Sequence, residues 1–160
     1  MAANTIRFVL LILVALLVGT MVGIWAGFNP ASLSPSAYVE KQQNAISAFN
    51  ILLPAVGAGC IVLALLLAYM SAGDHRSRYL LVAVAALLVV AGLVTRFGNQ
   101  PINAIVVTWS PQAPATDWAQ LRDDWWRWHV VRSVAGIGAL AALVLAVLGA
   151  KRTTGSAHEV

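Results

Sequence analysis

The stretch WWRWHVVRSVAGIGALAALVLAVLGA, residues 125–150, decides the fold. It opens with three tryptophans, two arginines and a histidine, then runs on from Ser133 to Ala150 with no charged residue and no proline. A helix needs about 20 apolar residues to cross roughly 30 Å of hydrocarbon. Tryptophan favours the headgroup layer, where its ring is buried and its N–H stays wet. The stretch therefore reads as one helix that starts at a membrane surface and crosses to the other side. Upstream, DWAQLRDD (117–124) extends the same helix backwards without a breaker, with Thr116 or Asp117 as its cap.

Three further stretches have the same character: Ile6 to Phe28, Ile51 to Met70 and Tyr79 to Arg96, with His129 to Ala150 as the fourth span. Only 10% of the 160 residues are charged, against about 25% in an average soluble chain, and the mean hydropathy is +0.81. The apolar runs are continuous and lack period-two alternation, which predicts helices rather than a barrel. The expected fold is thus an all-α integral membrane protein: a four-transmembrane-helix bundle with a Trp-rich polar loop and short helices between helices 3 and 4. It forms one domain, 1–150, followed by a mobile tail, KRTTGSAHEV, 151–160. The first span is too long for the apolar region of a signal peptide and is read as a retained helix.

Composition also excludes function classes. Cys60 is the single cysteine, so no Cys-pair metal site is possible and no metal is expected. The isoelectric point is near 9.8, but the ten Lys and Arg are scattered near span ends. That pattern is membrane topology and not a nucleic-acid surface. One face carries Arg7, Arg76, Arg78, Lys151 and Arg152, the other Lys41, Arg96, Arg122, Arg127 and Arg132. Arg96 and Arg132 fall within or at the edge of spans and need not count as loop charges. The expectation is a plasma (inner) membrane protein with both termini cytoplasmic.

The opposite, polar end is built from residues 29–50 and 97–128. Ser34 or Ser36 is placed to cap a helix near Pro35, which continues towards the second span with a kink near Pro54. Gly98 suits the residue after a helix end and Pro101 disfavours helix at Gln100. A break in the third span is therefore expected there, with a new short helix through INAIVVTW. Gly19, Gly23 and Gly27 form a small-residue stripe that serves either packing within the bundle or a homodimer, and Gly138 with Ala142 offers a similar pair.

On a helix, Trp125, Trp128, His129 and Arg132 share one stripe, while Trp126 and Arg127 point elsewhere. The tryptophans alone read equally as an aromatic belt. Arg132 lies about a turn inside the span, where it either snorkels or faces the bundle and pairs with a polar group. His129 is a candidate base, acid or ligand. The RFGNQPIN run (96–103) adds Arg96, Asn99 and Asn103, and EKQQN (40–44), with Asn50 further on, adds Gln43. These groups converge on one end of the bundle and predict a pocket roofed by the Trp-rich loop. His75 and His158 lie on the other side, and no Ser–His–Asp set or glycine-rich phosphate loop is legible.

The order GNQPINAIVVTW, a Pro-containing loop, then DWAQLRDDWWRWHVVR resembles the anthrone oxygenase family, small four-helix membrane proteins long catalogued as a domain of unknown function. Asn99, Pro101, Asn103, Trp109, Trp118, Trp125, His129 and Arg132 match its motifs, and the glycine-rich first span and YVEKQQNAISAFN fit its layout. The resemblance implies an oxidoreductase that uses O₂ to convert a polycyclic anthrone to a quinone without a redox metal. His129 is then the base, and Arg132, with Asn99 or Asn103, stabilises the oxyanion. Arg96, Gln43, Trp109, Trp118, Trp125 and Trp128 would bind a flat hydrophobic aromatic small molecule arriving from the lipid bilayer. Two other readings stay open at this level. One is a haem b protein with His129 as axial ligand and Met21 as a candidate second ligand. The other is a non-catalytic accessory or lipid-binding subunit.

Overall fold

The computed structural model describes residues 2–27 and 30–155, with side chains described through Gly149. Six α-helices follow in order: α1 (Ala2–Gly27), α2 (Pro35–Phe49), α3 (Leu52–Met70), α4 (His75–Val94), α5 (Gln100–Val106) and α6 (Trp118–Gly155). Among the described residues, four stretches are long and apolar enough to cross a membrane: Ala2–Ser32, which includes α1, then α3, α4 continuing through α5, and α6 as far as Gly149. The fold is an all-α membrane bundle, as the sequence predicts.

The spanning helices close a ring in which α4 packs on α6 and α3, and α1 packs on α6 and α3. Their shared core repeats every three to four residues: Leu10, Val14 and Leu17 on α1, Cys60, Ala64 and Leu67 on α3, Leu81, Val84 and Leu88 on α4, Ala139, Leu143 and Ala146 on α6. Lipid tails are as apolar as these side chains, so close contact holds the bundle rather than exclusion of water. Small residues make that contact possible. A Cβ on Gly136 would lie 3.1 Å from Met21 Cε, so glycine here lets α6 approach α1 closely. Gly19, Gly23 and Gly27, by contrast, have nothing within 4 Å of a built Cβ. Their stripe faces outward, which removes packing within the bundle as its explanation.

The loop end opposite the polar site is short. Asp74 caps α4, its Oδ1 accepting from Ser77 N–H at 3.1 Å, and the hydrogen bonds from Ser77 hold its carboxyl below the usual carboxylate range. At the polar end, Ser34 Oγ accepts from Ala37 N–H at 3.3 Å and Pro35 follows it, so α2 starts where the sequence places it. The expected kinked continuation into the second span does not occur. Pro54 has no N–H to give the Asn50 carbonyl, and the chain turns at Asn50–Ile51 before α3 begins. This turn lays α2 over α5. A second small core forms beneath it from Tyr38, Val39, Ile102, Val106 and Trp125, flanked by Trp109, Trp118 and Trp126.

The expected break at Gly98 and Pro101 is also corrected. The chain from His75 to Val106 stays helical, and the irregularity is a single π turn over Thr95–Asn99 between α4 and α5. Gln100 is helical, with φ −64° and ψ −38°, and its N–H reaches back five residues to the Thr95 carbonyl. Pro101 can neither donate to the Phe97 carbonyl nor tolerate it close by, and the widened turn absorbs both problems without ending the helix. Gly98 is not a left-handed terminus, since no described glycine has positive φ. It is small because a Cβ there would sit 2.6 Å from Trp128 Cγ. α6 starts one residue after Asp117 and runs unbroken to Gly155, into the segment expected to be a mobile tail. Residues 156–160 of that tail lie outside the described residues, as do Met1, Phe28 and Asn29.

Candidate functional site

The site begins with two residues one turn apart on α6. His129 is completely buried. Its Nε2 lies 3.1 Å from the Met21 carbonyl of α1, and its Nδ1 lies 3.1 Å from Arg132 Nε and 2.8 Å from Arg132 Nη2. A carbonyl only accepts and a guanidinium only donates. The imidazole is therefore neutral, with its proton on Nε2 and its one lone pair taken by Arg132. Trp125 stacks on the ring at 5.0 Å and 4°, and Trp126 covers it at 5.7 Å and 25°. Arg132 also reaches Oγ1 of Thr95, the first residue of the π turn, at 3.5 Å, and its guanidinium carbon sits 5.8 Å from the centroid of the Trp125 ring. The ion pairs among the described residues, Arg122–Asp123 and Arg127–Asp124, lie elsewhere at the polar end, so Arg132 has no carboxylate partner there.

Amides tie four elements together above this pair. Trp125 Nε1–H donates to Asn103 Oδ1 at 2.9 Å, and Gln42 Nε2 donates to the same oxygen at 3.1 Å. Asn103 Nδ2 donates to Asn50 Oδ1 at 2.9 Å. Asn99 Nδ2, from the π turn, donates to the Trp125 carbonyl at 3.0 Å. The π turn therefore does positional work: it places Asn99 against α6 and Asn103 under α2 on one continuous helix.

These groups border a cavity of about 550 Å³, within the roughly 300–1,000 Å³ range of ligand pockets. Its deep wall is apolar, formed by Leu17, Met21, Leu53, Gly57, Ile61 and Leu88. Its polar end presents Arg132, Gln42, Asn103, Asn50 and Thr95, with Lys41, Arg96 and Gln100 nearer the mouth. Pro54, Ala58, Gly92 and Arg96 line it and are exposed, so it opens between α3 and α4. No carboxylate among the described residues lines it. Among the described residues no cluster of three or more His, Cys, Asp or Glu could hold a metal ion.

Of the residues singled out in the sequence, Arg132, Asn103, Arg96 and Trp125 line this cavity. His129 lies behind Arg132, and Asn99 is buried against the Trp125 carbonyl. Gln43 turns away to donate to the Val106 and Trp109 carbonyls at the end of α5. Trp109 and Trp118 pack in the small core beneath α2, with Trp118 6.0 Å from the Tyr38 ring and Arg122 stacked on it at 4.8 Å. Trp128 is 44% exposed and covers Gly98 on the outer side. These three tryptophans therefore support the scaffold rather than the cavity wall. Sequence reading placed Asn50 in the polar cluster at this end but missed the roles of Gln42, Thr95 and the Met21 carbonyl. The contacts of Gln42, Asn50 and Met21 are 53–108 residues away in sequence, and no local pattern signals them, although polar residues beside Gln43 and Arg96 were in view.

Fold and site together define a four-span membrane protein with a ligand-sized cavity whose polar end is an arginine backed by a histidine. The family model for anthrone oxygenase matches residues 43–149, from the middle of α2 to the end of the fourth span. The chain belongs to the anthrone oxygenase family. No curated protein and no solved structure matches it.

Proposed function

We propose that this protein oxidises a planar aromatic ketone of the anthrone type with O₂, inside the cavity between α1, α2, α3, α4 and α6. The observation that carries the reading is Arg132 at the polar end of an apolar, carboxylate-free cavity. Loss of a methylene proton from such a ketone to a water molecule at the mouth of the cavity gives an anion delocalised over the rings and onto the carbonyl oxygen. A fixed guanidinium aimed at that oxygen stabilises the anion most where water is excluded. The anion is electron-rich enough to pass electrons to O₂. The methylene then becomes a second carbonyl, one oxygen atom of O₂ enters the quinone, and the other leaves in water.

Within this reading His129 is a positioning residue and not the base. Its lone pair is already used by Arg132 and its proton by Met21, so it fixes the guanidinium and has no nitrogen to offer a substrate. The same engagement argues against axial ligation of haem iron, which needs a ring nitrogen with clear approach. Trp125 is the aromatic surface placed to lie against a flat ligand, and the opening between α3 and α4 suits entry from the bilayer.

Oxygen consumption by the detergent-purified protein with anthrone, together with the absorbance of the quinone formed, tests the reading. Wild type should consume O₂ and form quinone, and Arg132→Gln should lower turnover about 10²–10³-fold, as loss of an oxyanion donor does. No uptake above the uncatalysed rate would overturn it. So would a Soret band in the purified protein that disappears in His129→Asn.

A further inference from the structure

Gln42 lies in the EKQQN run beside Gln43, the residue the sequence singles out, and the structure buries it with a single side-chain hydrogen bond, to Asn103 Oδ1. Its orientation follows from its neighbours. An indole N–H can only donate, so the atom of Asn103 that faces Trp125 Nε1 is its oxygen. That same oxygen faces Gln42, so Gln42 must present its nitrogen, Nε2, to it. The remaining terminal atom of Gln42 is then its carbonyl oxygen, Oε1. It is buried and has no hydrogen-bond partner. Gln42 is 1% exposed and is among the residues that line the cavity, so a donor in the cavity can reach Oε1 by a turn of the soft terminal amide torsion. A buried acceptor left unpaired costs about 1–3 kcal/mol, and a satisfied one does not.

We propose that Gln42 is a specificity-determining residue: its Oε1 accepts a hydrogen bond from a hydroxyl group on the aromatic ligand, so the cavity selects hydroxyl-bearing planar ketones over those without a donor. The proposal rests on the cavity being the ligand site of the oxidation reading above. It adds a second anchor point to the first. Arg132 donates to a carbonyl or oxyanion, Gln42 accepts from a hydroxyl, and both line the same polar end. The two requirements are opposite in sign, so one ligand oxygen cannot serve both without carrying a proton. A ligand with two distinct oxygen functions satisfies both and is fixed in orientation. The terminal torsion of a glutamine is soft, so Oε1 can adjust to the ligand while Nε2 keeps its bond to Asn103.

The test uses ligands that cannot be oxidised at a methylene, so that binding is read without turnover. Quenching of tryptophan fluorescence by anthraquinone, 2-hydroxyanthraquinone and 2-methoxyanthraquinone would be titrated in detergent, at a pH where the hydroxyl is protonated. Wild type should bind the hydroxy compound about tenfold or more tightly than the methoxy compound, a single hydrogen bond's worth. Gln42→Met keeps the chain length and removes the acceptor, while Asn103 Oδ1 keeps its indole donor. It should erase the preference for the hydroxy over the methoxy compound, and a helical circular dichroism spectrum like that of wild type in the same detergent reports that the variant is folded. Equal wild-type affinity for the hydroxy and methoxy compounds overturns the proposal without recourse to a variant. So does a preference that persists in Gln42→Met, or the absence of binding by all three. Failure to oxidise anthrone is a separate result. It removes the oxidation reading and leaves the hydroxyl preference measurable on its own.

Discussion

His129 shows how residue type and residue environment can point to different chemistry. On a helix with about 100° per residue, Arg132 lies about 20° to one side of Trp125 and His129 about 40° to the other. The three therefore do share a face, as the sequence stripe predicts. Trp128 falls about 60° from Trp125 on the Arg132 side, and Trp126 about 60° beyond His129. Hence Trp126 covers the imidazole, while Trp128 rotates outward to Gly98. The stripe was legible; the orientation of each ring nitrogen was not, because Met21 comes from another helix. A positioning role separates from a base role in paired variants. In His129→Asn a side-chain oxygen can still accept from Arg132, whereas in His129→Leu nothing can. The Asn variant should retain about tenfold more kcat with anthrone than the Leu variant, and most of the difference should vanish when Arg132→Gln is added. If His129 were the base, both variants would be equally inactive with Arg132 intact.

Among the elements, the α4–π–α5 helix carries most of the site. Turn-forming residues at 98–101 suggested a stop, and the physics behind that expectation is sound: proline removes a donor and glycine weakens a helix. What overrode it was the tertiary setting. The π turn accommodates Pro101, Asn99 pins the turn to the Trp125 carbonyl, and Trp128 occupies the space that a side chain at 98 would need. Gly98→Ala should therefore force the Trp128 ring aside and lower stability by about 1–3 kcal/mol, as overpacking does. Gly92→Ala, with nothing within 4 Å of its Cβ, should cause no loss. Thermal unfolding of the two variants in the same detergent checks the contrast.

The whole molecule is longer than a bilayer is thick. The helix from His75 to Val106 has 32 residues and spans about 48 Å at 1.5 Å per residue, against roughly 30 Å of hydrocarbon. Its α5 end, together with α2 and the first turns of α6, extends past the apolar layer and forms the polar end. The polar end of the cavity thus sits where the spans leave hydrocarbon, and its apolar wall reaches down among them. The expectation of cytoplasmic termini, which discounts Arg96 and Arg132 as loop charges, puts this end on the outer side. A membrane-impermeant maleimide should then label Gln112→Cys in intact cells and leave Gly73→Cys unlabelled until the membrane is opened. The reverse pattern would invert the orientation. The native Cys60 is buried in the core and should stay silent.

By itself the sequence determined the class of protein, the four spans, the face shared by Trp125, His129 and Arg132, and the motifs of the family. Each depends on hydrophobic length or on helical spacing within one segment, which short-range chemistry decides. Only the tertiary structure decided that the third span continues through Pro101, that the chain breaks ahead of Pro54, that His129 is held by Met21 and Arg132, and that Gln42 rather than Gln43 faces the cavity. Those outcomes depend on which donor meets which acceptor across helices distant in the chain. In a membrane, where water is not at hand to satisfy a buried polar group, it is that pairing which fixes where each side chain points.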